Sequence, residues 1–247
     1  MTGYKEFEFN LPDALLTSLV RVFAEMDSAP LTMGNAASIP DEQGIYQLIL
    51  NGEIVYIGKT DGDAGLRSRL TRHAYTVQHR KNLVPEHVLF KAVRVFVFTA
   101  VDLETQLIRH YGAQRRVPWN NSGFGSNDPG RNRDDTALNP QSFDAHYPID
   151  IDFVLPPITA RAPLTVASVL TALSEALPYT LRYERGNAEL TTSSTALPAA
   201  AYTVRQLLVH LATSLPNGWQ ATKLAGRVIF YKESRTYPHG EIIVRTV

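Results

Sequence analysis

The sequence predicts an α+β protein, a small antiparallel sheet flanked by helices (an α/β sandwich) followed by a second α/β body. Three observations predict it. Two strand-like runs meet at Asn51-Gly52 within residues 44–58, a strong hairpin signal. Helical patterns bracket that hairpin and a further strand-like run, giving the order β-β-α-β-α. After Pro156-Pro157 charges become sparse and a helix-strand pattern is stated twice.

Taken in order, Leu11-Pro12-Asp13 followed by Leu15, Leu16, Leu19 and Phe23 reads as a capped amphipathic helix that ends before Pro30. The hairpin comes next, then a helical stretch over residues 64–80. Val88 to Phe98 alternates apolar and polar residues as a third strand, and Thr99 or Asp102 can cap a further helix through Tyr111. From Pro118 to Pro148 the chain is rich in Gly, Asn, Asp and Pro, which marks either a functional loop or a mobile one. Thr165-Val166, Leu170, Leu173 and Leu177-Pro178 recur 38 residues later as Thr203-Val204, Leu208, Leu211 and Leu215-Pro216. The expected division is therefore residues 1–155 and an accessory α/β domain over 156–247 with a duplicated helix-strand unit.

Composition excludes more than it selects. In 247 residues, 44% of them apolar, there is no cysteine, which removes disulfides, thiolate nucleophiles and zinc sites that need sulfur. The first ten residues lack the apolar core of a signal peptide and no apolar stretch approaches a membrane span, so a cytoplasmic protein is expected. Net charge is zero, yet residues 59–133 hold thirteen Lys and Arg against six Asp and Glu. That local excess is either a solvated face or the footprint of a nucleic acid.

Three groups of residues could do chemistry. Glu104 lies within about 60° of Leu107, Ile108 and Tyr111 on a helical projection, so a carboxylate interrupts an apolar stripe. It needs a salt bridge, a bend back to solvent, or a metal or acid-base role. Arg69 and His73 share a helix face with Thr76 and Arg80, and such stacked cations repel unless an anion lies between them; a phosphodiester or plain solvent would serve. No histidine spacing supports a zinc hydrolase. In the hairpin, a two-residue turn at Asn51-Gly52 would send Tyr46 and Tyr56 to opposite faces. A three-residue loop, Leu50-Asn51-Gly52, with a bulge at Gly52 would pair them directly, either as site residues or as an ordinary cross-strand pair.

Gly44-Ile45-Tyr46 and Tyr56-Ile57-Gly58, then Arg69 and Glu104 on later helices, resemble the GIY-YIG nuclease domain. Glu104-x-x-Leu107-Ile108-x-x-Tyr111, Trp119-Asn120 and Gly123-Phe124-Gly125-x-Asn127-Asp128-Pro129-Gly130-Arg131 are similar to its small type II restriction endonucleases, those cutting CCGCGG-like palindromes. The likeness covers roughly residues 5–150. It implies an active site of Tyr46, Tyr56, Arg69, His73, Glu104 and Asn120, with one Mg²⁺ on Glu104 that Mn²⁺ can replace. It implies Lys59, Arg72, Gly123, Gly125, Asn127, Arg131 and Arg133 as contacts to double-stranded DNA. A palindromic target implies a homodimer, and a sequence-specific nuclease implies a cognate DNA methyltransferase encoded nearby. The competing expectations are a structure-specific or mobile-element nuclease of the same fold, and a catalytically silent DNA-binding module.

Overall fold

The computed structural model describes residues 3–8, 10–60, 64–96, 103–114, 117–126 and 130–247. The chain divides into two compact units, residues 1–75 with 84–121 and residues 76–83 with 122–247; the junction expected at 155/156 falls inside the second. The architecture is α+β, and among the described residues the strands form two four-stranded sheets.

In the first unit, helix α1 (Leu11–Glu25) precedes strand β1 (Ala29–Pro30), helix α2 (Met33–Ala37) and the hairpin β2 (Gly44–Leu50) and β3 (Glu53–Lys59). Helix α3 (Leu66–Thr76), strand β4 (Val88–Arg94) and helix α4 (Leu103–Gln114) follow. The sheet order is β1-β4-β2-β3, antiparallel throughout. Leu19 and Phe23 of α1 with Leu103 and Leu107 of α4 close over Ile45 and Ile57 on one sheet face. The other face belongs to Tyr46, Leu48 and Tyr56, and α3 lies over it. Asn10 caps α1 by accepting from Asp13 N–H, which supports the helix start read from Leu11-Pro12-Asp13.

The hairpin corrects the expected register. Asn51 and Gly52 both have positive φ, 52° and 80°, and Leu50 faces Glu53, so the turn is a two-residue loop whose twist matches the strands. The extra residue sits further along: Ile49 faces Ile54 while Leu48 faces Tyr56, leaving Val55 as a bulge. Tyr46 consequently faces Gly58, not Tyr56. The bulge supplies the odd residue that the turn does not.

The second unit holds α5 (Phe143–His146), α6 (Val166–Ala176), β5 (Thr180–Tyr183), α7 (Ala188–Thr192), α8 (Val204–Thr213), β6 (Trp219–Lys223), β7 (Arg227–Lys232) and β8 (Glu241–Arg245). Its sheet runs β5-β7-β6-β8, with β5 parallel to β7 and the other pairs antiparallel. Thr165 and Thr203 each cap their helix in a reciprocal box, with Ser168 and Gln206 respectively, so the duplicated sequence pattern is a duplicated helix start. Leucines of α6 and α8 cover Leu181, Ala221, Val228 and Phe230 on one sheet face. The opposite face carries Arg182, Arg227 and Tyr231, which gather around the buried Asp134 carboxylate.

Candidate active site

The Val55 bulge restores the pleat phase that an even loop would break, so Tyr46 and Tyr56 project from the same face as diagonal neighbours, ring centroids 6.0 Å apart. A side chain at Gly58 would collide with the Tyr46 ring and hydroxyl, so the glycine of the second motif is the space the first motif's tyrosine occupies. Helix α3 lays His73 over both phenols, 5.5 Å from Tyr46 and 5.3 Å from Tyr56 between centroids. The Tyr46 hydroxyl and His73 Nε2 are hydrogen-bonded at 2.8 Å, with both side chains buried. Tyr46, Tyr56 and His73 thus form one cluster.

Charge around the cluster is arranged by α3 and α4. Burial, followed by the neighbouring Tyr56, pushes the Tyr46 phenol above its ordinary range, while Arg69 pulls it down and Glu104 pushes it further up. Tyr56 is raised by burial and then by Glu104. His73 is pulled down to about 3, first by burial and then by the charges of Arg72 and Arg69, so its imidazole is neutral near pH 7. A neutral ring accepts at one nitrogen. With the ring proton on Nδ1, Nε2 accepts from the Tyr46 hydroxyl; with it on Nε2, the ring donates to that hydroxyl.

Glu104 does not interrupt the core as the helical projection suggests. Leu103 and Leu107 take the buried stripe, and Glu104 stands at its rim with its side chain 24% exposed. There its Oε2 lies 3.8 Å from the Lys59 ammonium, which extends from the end of β3. Among the described residues no group of three or more His, Asp and Glu could enclose a metal. A single part-exposed carboxylate would suit Mg²⁺, which keeps most of its waters and leans on one or two carboxylates plus substrate phosphate, better than a zinc or calcium cage. That carboxylate already attracts a cation.

Asn120 acts as a strand. Its Nδ2 donates to Ile57 O at 2.8 Å and its Oδ1 accepts from Ile57 N at 2.9 Å, while Trp119 N donates to Val55 O at 2.8 Å. These bonds seal the outer side of β3, an edge strand, and fix Ile57 between Tyr56 and Gly58. Two positioning residues escape a sequence reading. Asp41 accepts from Ser68 N at 3.0 Å and Ser68 Oγ at 2.8 Å, and those bonds hold its carboxyl below the usual range and anchor the start of α3. Thr60 accepts from Gly44 N at 2.7 Å and ties the two motif strands at their open end.

The remaining expected contacts lie in the second unit. Gly123 and Gly125 have positive φ, 86° and 68°, and Arg131 follows Gly130, whose φ is 83°. Arg131 lies over the Tyr231 ring at 4.2 Å, with Glu233 and Glu184 at 3.6 and 3.7 Å. Asn127 and the side chain of Arg133 are outside the described residues. No family model and no curated protein matches this chain.

Proposed function

We propose that the chain is an endonuclease of the GIY-YIG kind that hydrolyses phosphodiester bonds of double-stranded DNA with one Mg²⁺ per site, and that it serves restriction. The observation that supports this reading is the buried Tyr46–His73 hydrogen bond, 2.8 Å long, set beside Tyr56 among the charges of Arg69, Arg72 and Glu104. Phosphodiester hydrolysis needs a proton acceptor for water and cations for charge gathering on phosphorus and on the leaving 3′ oxygen. As the water oxygen bonds to phosphorus and the P–O3′ bond breaks, the water proton passes to the Tyr46 oxygen while the Tyr46 proton moves to His73 Nε2. Tyr56 orients the water, and Arg69 pairs with a non-bridging oxygen. Glu104 would hold the divalent cation, Mg²⁺ or Mn²⁺, which would supply positive charge to offset the negative charge developing in the reaction, and the departing 3′ oxygen would take its proton from solvent.

Substrate raises the basicity of His73. Arg72 and Arg69 are the charges that, after burial, hold the imidazole down. An anionic phosphate placed between them offsets that repulsion, so the ring gains basicity when DNA is in place and not before. Lys59, Gly123, Gly125, Asn127, Arg131 and Arg133 contribute the remaining DNA contacts, and a homodimer presents one site to each strand of a palindrome. The protein would act in the cytoplasm beside a protecting methyltransferase.

Digestion of plasmid DNA with Mg²⁺ tests this. Discrete bands are expected, absent from Glu104→Gln, which still binds DNA, and reduced by about a hundredfold or more in Arg69→Ala. Nicks or a smear would replace restriction by a structure-guided nuclease, and binding without cleavage would make the chain a silent module.

A further inference from the structure

We propose that Lys59 is the resident counter-ion of Glu104, a side chain that holds the carboxylate ready and must be displaced by the divalent cation, so that Lys59 sets the metal affinity of the site. The proposal rests on the metal reading above. Its ground is geometric: the Lys59 ammonium lies 3.8 Å from Glu104 Oε2, and the two side chains are 47% and 24% exposed. Glu104 stands in the first turn of α4, where the helix dipole favours a carboxylate, and Lys59 is the last residue of the strand that carries Tyr56. A cation is therefore already seated on the oxygen that a metal would take. An ammonium is a compact point charge on a flexible stem, able to leave without disturbing β3.

Two consequences follow from elementary electrostatics. Metal entry replaces one unit of positive charge with two, beside phenols that burial first, and the Glu104 charge after it, hold protonated. Metal entry also works against Lys59, because ammonium and metal compete for one carboxylate and repel each other while both are near it. Removing the ammonium charge should therefore tighten metal binding, the opposite of what loss of a metal ligand or of a structural residue does.

Terbium(III), a hard oxygen-seeking ion excited by energy transfer from nearby tyrosines, reads this in the full chain without DNA or turnover. Titrations of the wild type, Lys59→Gln, Lys59→Arg and Glu104→Gln are compared. The saturable emission should vanish in Glu104→Gln, bind about three- to tenfold tighter in Lys59→Gln, and stay near wild type in Lys59→Arg. Mg²⁺ should displace it. Equal or weaker binding by Lys59→Gln, with Glu104→Gln still silent, overturns the counter-ion role and leaves the metal site standing. Emission that is absent, or that persists unchanged in Glu104→Gln, overturns the metal reading and the proposal together.

Discussion

Asp134 and Asp135 are chain neighbours in opposite surroundings, and substituting each in turn weighs burial against charge. The Asp134 side chain is 1% exposed, and its oxygens accept from Arg182 Nη1 at 2.7 and 2.9 Å, Arg227 Nε at 2.7 Å and Tyr231 Oη at 3.4 Å. Those partners sit on β5 and β7, so one carboxylate joins two strands to the segment before α5. Asp134→Ala takes from two mostly buried guanidiniums the anion they share. Loss of one member of a buried ion pair costs about 3–5 kcal/mol, and the partial exposure of both arginines favours about 3. In a body of this size that is roughly a 6–12 °C fall in melting temperature. Asp135 meets Arg235 at 2.5 Å, but both side chains are well exposed, so Asp135→Ala should cost less than about 1 kcal/mol. Urea unfolding of both variants decides it. An Asp134→Ala cost under about 1 kcal/mol, or two equal costs, would refute the claim that this carboxylate organises the second sheet.

Gly58→Ala should cut cleavage by about tenfold or more while the chain stays folded, because the new methyl must move the Tyr46 ring; wild-type rates would show that the ring has room. In the relay Tyr46 starts protonated, raised by burial, and His73 is already neutral, so the rate should stay within about threefold between about pH 7 and pH 9; a climb of about one log unit per pH unit would show that prior ionisation of Tyr46 replaces the relay. His73, held near 3 in the folded chain against about 6.5 when unfolded, binds its proton more readily in the unfolded state. Its contribution, about 5 kcal/mol, is therefore present above about pH 6.5 and lost as pH falls toward 3; denaturation at about pH 7 and pH 4 should show a flatter dependence in His73→Gln, and identical dependences would count against a buried neutral ring. Gly52→Ala should lower stability by about 1 kcal/mol through the positive φ of the turn without changing the Tyr46–Tyr56 contact, which proton correlations between the rings can follow.

Much of the architecture is legible because it is local. The apolar spacing of α1, the turn dipeptide Asn51-Gly52, the alternation of β4 and the threonine caps of α6 and α8 are each decided by nearby residues. What is not legible is decided by partners far away in sequence. The two-residue β1 exists through its pairing to Phe90 and Leu89, and no property of Ala29-Pro30 announces a strand. The helical pattern expected to run to residue 80 stops at Thr76, and Arg80 is instead drawn in by Asp144, 2.6 Å away, the Tyr147 carbonyl and the Phe143 ring. Its charge counts toward the basic stretch in the sequence, yet it is internal in the fold.

The candidate site shows the same split at finer scale. Which residues gather was readable from Gly44-Ile45-Tyr46, Tyr56-Ile57-Gly58 and the Arg69–His73 spacing, but how the two tyrosines come to share a face was not. Turn chemistry alone fixes an even loop, and an even loop places them on opposite faces. The phase is recovered at Val55, a β-branched residue with no bulge signature of its own; what holds it there is non-local, since its carbonyl accepts from Trp119 N and the next pair of edge bonds goes to Asn120. Trp119-Asn120 therefore acts on Tyr56 at a distance by setting the strand that carries it. A substitution at Asn120 should then loosen β3 and misplace Tyr56 while the Tyr46–His73 hydrogen bond survives, because that bond joins β2 to α3 and does not pass through β3.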